Sequence, residues 1–190
     1  LFVNGTVDEP VLFRNDRLDP YYKDLTDQWQ GLWFSDGFKP SYLNNVILEN
    51  GNLAIQADAP YISNEIPLIL NNITIRNMAT GGIAGNGSVI TGSNISIANT
   101  GGYTLSLNGG FYQFNYLSSG NVWSSSVREN PSVIVKNYYQ GQENNVIVDP
   151  SSVSIYNSVI WGNLQNELFI DQANEGSFTY SFDHCLIKTD

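Results

Sequence analysis

Apolar residues in this chain fall in short clusters in which every second position is hydrophobic, and most clusters end in Asn. Six of them align: LNNVILEN (43–50), LNNITIRN (70–77), GSNISIAN (92–99), FNYLSSGN (114–121), YNSVIWGN (156–163) and FDHCLIKT (182–189). Period-two alternation puts every second residue on one face of a β-strand. One inward column therefore holds Val46, Ile73, Ile95, Leu117, Val159 and Cys185. A second, two positions on, holds Leu48, Ile75, Ile97, Ser119, Trp161 and Ile187. Ile47, Thr74, Ser96, Ser118, Ile160 and Leu186 lie between them and face outward. Asn50, Asn77, Asn99, Asn121 and Asn163 close the clusters. Asn tolerates the left-handed conformation of a sharp turn, and amides stacked in register can hydrogen-bond from copy to copy.

The aligned segments end at positions 50, 77, 99, 121, 163 and 189, so the steps between them are 27, 22, 22, 42 and 26. Read as two periods of 21, the step of 42 implies one degenerate or replaced copy between 121 and 163. The surplus in the longer steps is assigned to loops such as 58–65. A period near 22 is too short for a pair of α-helices, and the L-x-x-L-x-L register of a leucine-rich repeat is absent. The expected fold is all-β: a right-handed parallel β-helix solenoid with a coil period of 21–22, forming a single domain over 1–190.

The remaining segments are less regular. Residues 1–3 and 11–13 read as strands around a turn, and 14–28 is a polar excursion carrying Pro20. WQGLWF (29–34) returns to the body, with Trp33 and Trp161 assigned to the core and Trp29 as well. Segment 122–152 is either an extra coil or a projecting β-hairpin, SVIVKNYY and NNVIVD flanking QGQE. The inward columns fit poorly there, which favours the hairpin.

Composition agrees with strands and tight turns. Charged residues make up only 14%, against roughly 25% in an average domain. There are 24 Asn and 17 Gly but one Met, a poor supply of helix formers. The net charge of −10 argues against nucleic acid or an anionic membrane as partner. One Cys and one His exclude a disulfide framework, a Cys-rich zinc site and a multi-His metal centre. No apolar run reaches the ~20 residues of a membrane-spanning helix, so direct membrane insertion is not expected. No feature asks for a cofactor or a metal.

NGTVDEPVLF (4–13), DQWQGLWF (27–34) and the NNxxIxN copies resemble bacterial surface proteins with a pectin-lyase-like β-helix, of the choice-of-anchor Q domain type. The resemblance covers essentially the whole chain. It implies an exported protein at the cell surface, often a lipoprotein or one with a C-terminal sorting anchor. It supplies no active site. With strand-like segments at both ends, the chain is expected to be part of a longer solenoid, with neighbouring coils or domains as partners.

The β-helix fold serves lyases, hydrolases and non-catalytic adhesins, so function has to come from side chains. Polygalacturonase-like hydrolases carry N-T-D, D-D and G-H-G strings, which are absent here. The outward column Glu49, Arg76, Ala98, Gly120, Gly162 and Lys188 holds no carboxylate pair of the kind glycosidic cleavage needs. Asp183 and His184 occupy turn columns otherwise filled by Asn, and Cys185 falls in an apolar column, so none of them reads as catalytic. Asp16, Asp19, Asp24 and Asp27 share their excursion with Arg14, Arg17 and Lys23, which reads as a solvated loop. That leaves aromatics on irregular segments. Tyr21, Tyr22, Tyr138 and Tyr139 are the candidate ligand-binding residues, because sugar faces stack on aromatic rings. The function expected is a non-catalytic module for glycan or protein recognition. The alternatives are a polysaccharide lyase or glycoside hydrolase with an incomplete site, and a structural spacer.

Overall fold

The computed structural model describes residues 1–58, 67–141 and 145–190. Every regular element among them is a β-strand. In chain order these are β1 (Phe2–Asn4), β2 (Val11–Phe13), β3 (Leu32–Phe34), β4 (Ser41–Glu49), β5 (Leu53–Asp58), β6 (Pro67–Met78), β7 (Gly81–Thr100) and β8 (Tyr103–Asn121). The second half contributes β9 (Val133–Lys136), β10 (Tyr138–Gln140), β11 (Val146–Val148), β12 (Ser151–Tyr156), β13 (Val159–Gly162), β14 (Leu168–Asp171), β15 (Phe178–Asp183) and β16 (Leu186–Ile187). The all-β, parallel part of the expectation holds. Among the described residues all pairings are parallel except that of β10 with β11.

The long strands are straight runs joined at left-handed residues. Asn45, Asn72, Asn94, Tyr116, Asn157 and His184 all have φ between 49° and 58°, and pairing skips most of these positions. A second set of corners uses Asn50, Asn77 and Asn99 at φ 65°, 56° and 55°. Three parallel ladders result. One runs β1–β4–β6–β7–β8–β12–β15. A second joins β2, the ends of β4, β6, β7 and β8, then β13 and β16. The third joins β3, β5, the starts of β7 and β8, β9 and β14. The chain visits the three in the same order in every copy.

Side chains from all three ladders meet in one core. Val46, Ile73, Ile95 and Leu117 form a buried column, as do Leu48, Ile75 and Ile97. Large and small residues compensate between layers. A Cβ on Gly92 would come within 2.6 Å of the Phe114 ring, so the missing side chain makes room for the largest fully buried one.

The corner amides bond between copies, as the stacking of Asn predicts. Asn50 receives a bond from Asn77 at 2.7 Å, and Asn77 one from Asn99 at 3.2 Å. Asn72 donates to Asn44 at 3.1 Å and Asn94 to Asn72 at 2.8 Å. The polar excursion is anchored on the same amides. Asn50 donates to Asn15 Oδ1 and to the Lys23 carbonyl, and Asn77 to the Asp24 carbonyl.

Three expectations need correction. First, no copy is missing between 121 and 163. β8 pairs directly with β12 and β13, Phe114 with Ile155 and Ser118 with Val159, a single step with a constant offset of 41. The additional chain leaves as the loop 122–132 and the hairpin β10–β11, while Val133–Lys136 of the ambiguous segment takes a regular place in the third ladder. Second, 41 in place of 42 shifts the register by one, and a one-position shift turns every side chain to the other face. Val159 pairs with Ser118 and is 41% exposed, whereas Ile160 pairs with Ser119 and is fully buried. Ser158, not Val159, follows Leu117 inward, and Trp161 points outward at 47% exposure. Third, Trp33 is not core: it is 70% exposed, because Leu32 and Phe34 on either side of it take the inward positions. The 59–65 part of the proposed loop lies outside the described residues.

Candidate functional site

The outward face of the third ladder carries the groups with chemistry. Alternation along β5 turns Ala57 into the core and leaves Gln56 and Asp58 outside. Asp58 pairs with Asn86 and Asn86 with Asn108, so a polar row crosses the strands. Trp33 Nε1 donates to Asp58 Oδ2 at 2.8 Å and Gln56 to the same oxygen at 2.6 Å. Asn86 donates to Asp58 Oδ1 at 2.8 Å and itself accepts from Asn108 at 3.1 Å. Three neutral donors thus hold the carboxylate, and its hydrogen bond fixes the tilt of the exposed indole.

The hairpin β10–β11 stands across from this row. Antiparallel pairing of Tyr139 with Ile147 and of Gln140 with Val146 forms it. Between the two lies a cleft of about 1020 Å³. Trp33, Ser35, Asp36, Gln56, Asp58 and Asn86 line one side, and Tyr139, Gln140, Gly141, Asn145 and Ile147 the other. The described lining includes two carboxylates and no Lys or Arg. Their field is felt nearby. Burial pushes the Tyr139 hydroxyl above its ordinary value, and Asp149 and Asp58 push it further. Tyr103 is raised by burial and by Asp58. A smaller groove of about 280 Å³ near Val7 and Pro10 is lined by hydroxyls, amides and aliphatic groups, with no titratable side chain.

The four tyrosines singled out from the sequence do not converge. Tyr21 and Tyr22 meet edge to face at 4.8 Å on the excursion, with the Arg17 guanidinium 3.3 Å from the centre of the Tyr22 ring. Tyr138 and Tyr139 are neighbours on β10, but alternation sends them apart. The Tyr138 hydroxyl donates to Asp171, and Lys136 lies 5.2 Å from its ring. Only Tyr139 of the four lines the cleft. Trp33, assigned to the core by its apolar neighbours, is the aromatic that accompanies it. His184 holds the left-handed corner position also taken by Asn45, Asn72 and Asn94, as its column predicts, and pairs with Asp183 at 3.0 Å. Asp19 and Asp24 of the acidic excursion pair with Arg17 and Lys23.

One group had no sequence signal. Arg128, in the loop 122–132, has its side chain fully buried against that of Glu167, far along the chain. Its guanidinium also donates to Asn163 Oδ1 and to the carbonyls of Asn121 and Asn130. Glu167 accepts further bonds from Ser132 N, Ser132 Oγ and Leu164 N. Burial alone would raise this carboxyl. The hydrogen bonds from Arg128, Ser132 and Leu164, with the Arg128 charge, outweigh burial and hold it below its ordinary value. The pair fastens the inserted loop to the next copy and lies outside the cleft lining.

Comparison with protein-family models, with curated proteins and with solved structures found no match. No helix among the described residues is long and apolar enough to cross a membrane.

Proposed function

We propose that this chain is a right-handed parallel β-helix solenoid serving as a non-catalytic recognition module of an exported, surface-attached bacterial protein. Parallel pairing that returns to the same three ladders every copy supports the architecture, with a constant offset of 22 in the regular part, as from Ile73 to Ile95 and from Ile95 to Leu117. The resemblance of the 4–13 and 27–34 segments supports the location. The ligand is a glycan held in the cleft beneath the hairpin. The observation that carries this reading is the solvent-facing indole of Trp33 across from Tyr139, in a cleft whose other lining includes four amide side chains and two carboxylates beside Ser35, Gly141 and Ile147. An aromatic face takes the apolar side of a sugar ring, and amide and carboxylate groups take its hydroxyls. A rigid sheet with an inserted hairpin suits this role, since binding groups concentrate where loops leave a fixed scaffold.

The test is a glycan array followed by calorimetry on the hits, with Trp33→Ala and Tyr139→Ala variants. Binding is expected to fall at least tenfold in each. Binding that survives both changes would place the ligand elsewhere, with Tyr21 and Tyr22 the next to replace. A second reading has one observation in its favour: Asp36 and Asp58 share the cleft, and paired carboxylates are what a glycoside hydrolase uses. Release of reducing ends from a bound glycan, lost in Asp36→Asn and Asp58→Asn, would establish that reading over the non-catalytic one.

A further inference from the structure

Resting on that recognition reading, we propose that the cleft selects an amino-sugar oligosaccharide whose amines are free and positively charged, in preference to a neutral or acidic glycan. The polarity of the lining carries the argument. Among the described residues, the donors that hold Asp58 are neutral: Trp33 Nε1, Gln56 and Asn86. Its negative charge is therefore fixed in position without being neutralised. Asp36, on the same wall, is exposed, and no Lys or Arg joins the described lining. Asp149, at the foot of the hairpin, adds a further negative charge felt by Tyr139. A charged site of this sign repels uronic acids and attracts ammonium groups, most strongly where water is partly excluded.

Aromatic and acidic groups together also suit a lysine side chain, but three features favour a sugar. The Trp33 ring is 70% exposed and tethered through its nitrogen, which presents a flat, pre-oriented face. Gln56, Asn86 and Asn145 supply amides beside it, which hydroxyls use and an alkyl ammonium does not need. The volume of about 1020 Å³ stands at the top of the roughly 300–1,000 Å³ range of small-ligand sites. That is space for several linked rings and far more than one side chain requires. An ammonium near Asp36 and Asp58, with its ring on Trp33, satisfies the charge and the stacking together. The cation also gains from the faces of Trp33 and Tyr139.

The experiment is calorimetry of the full chain with four probes: glucosamine oligomers, the same oligomers fully N-acetylated, oligogalacturonate and oligolysine. Glucosamine oligomers are expected to bind at least tenfold more tightly than their acetylated counterparts, with affinity falling as salt is raised. Asp36→Asn, an exposed change, should weaken binding of the glucosamine oligomers several-fold more than binding of the acetylated probe. Trp33→Ala should weaken both. Equal or tighter binding of the acetylated oligomers would overturn the charge selection while leaving glycan recognition standing. Oligolysine binding as tightly as the sugar, and unchanged in Trp33→Ala, would overturn it in favour of a basic protein partner. Tightest binding of oligogalacturonate would overturn it outright. Failure of every saccharide on a broad array would remove the recognition reading itself.

Discussion

Replacing Glu167 by glutamine strands the Arg128 guanidinium in a buried site with no counter-charge. Both side chains are fully enclosed in the native protein. Glu167 takes two bonds from Arg128 and three from Ser132 and Leu164, so every lone-pair direction is in use. A glutamine has one acceptor oxygen. Its NH₂ must stand either in place of Oε1, against Arg128 Nη2 and Leu164 N, or in place of Oε2, against Arg128 Nη1 and both Ser132 donors, and each placement sets donor against donor. Breaking one side of a buried pair in this way costs about 3–5 kcal/mol. For a chain of this size each kcal/mol lowers Tm by roughly 2–4 °C, so the expected fall is on the order of 10 °C. Arg128→Met removes the cation and leaves Glu167 with its three neutral donors. Its cost should lie near the lower end, about 3 kcal/mol. The double variant Arg128→Met/Glu167→Gln should recover part of either loss, because no charge stays buried and the glutamine oxygen still accepts from Ser132. Urea denaturation of the four proteins closes the cycle.

Acid provides a second readout of the same pair. Glu167 is held below its ordinary value of 4.5. A depressed carboxyl contributes stability that is present above the unfolded value and is lost as pH falls through the folded one. The native protein should therefore lose stability below about pH 4.5 more steeply than Glu167→Gln does. Single variants within about 1 kcal/mol of the native protein, together with unchanged acid profiles, would refute the reasoning that this pair locks the inserted loop in place.

Ile95→Ala empties a site between Ile73 and Leu117 and should cost about 2–5 kcal/mol by denaturant titration, while a cost under ~1 kcal/mol would remove it from the core. The corrected register is tested by two lysines: Val159→Lys should change stability by no more than about 0.5 kcal/mol, and Ile160→Lys should prevent folding as judged by circular dichroism. The reverse ranking would restore the step of 42. Asp149 has a buried carboxylate oxygen with no partner, and burial raises its pKa. A raised carboxyl favours the folded state only while protonated, so its charge costs stability as pH rises through the folded value. Asp149→Asn should therefore raise Tm at neutral pH and make no difference in strong acid. An equal effect at both would rule out the charge as the cause.

Alternation and corner chemistry are local properties, and here they were legible along the chain. The inward placement of Ile73, Ile95 and Leu117 follows from which side of the backbone each residue occupies, and the left-handed Asn50, Asn77 and Asn99 from what an Asn side chain tolerates. The all-β, parallel character and the interstrand amide bonds follow from the same repeat. The register beyond an insertion is not local. Whether the offset from β8 to β12 is 41 or 42 depends on how much chain the loop and hairpin take up, and that difference of one decides whether Val159 or Ile160 is buried. Trp33 shows the same limit in a very short strand: with Leu32 and Phe34 as neighbours, alternation alone cannot choose the inward set. The Arg128–Glu167 pair and the cleft between Trp33 and Tyr139 each join residues from separate copies. What the amino-acid order determined by itself was the two faces of each strand and the places where the chain turns. Which copies meet, in which register, and which aromatic is left outside were decided only when the insertion packed against the ladders, because those contacts are chosen by the fit of distant surfaces.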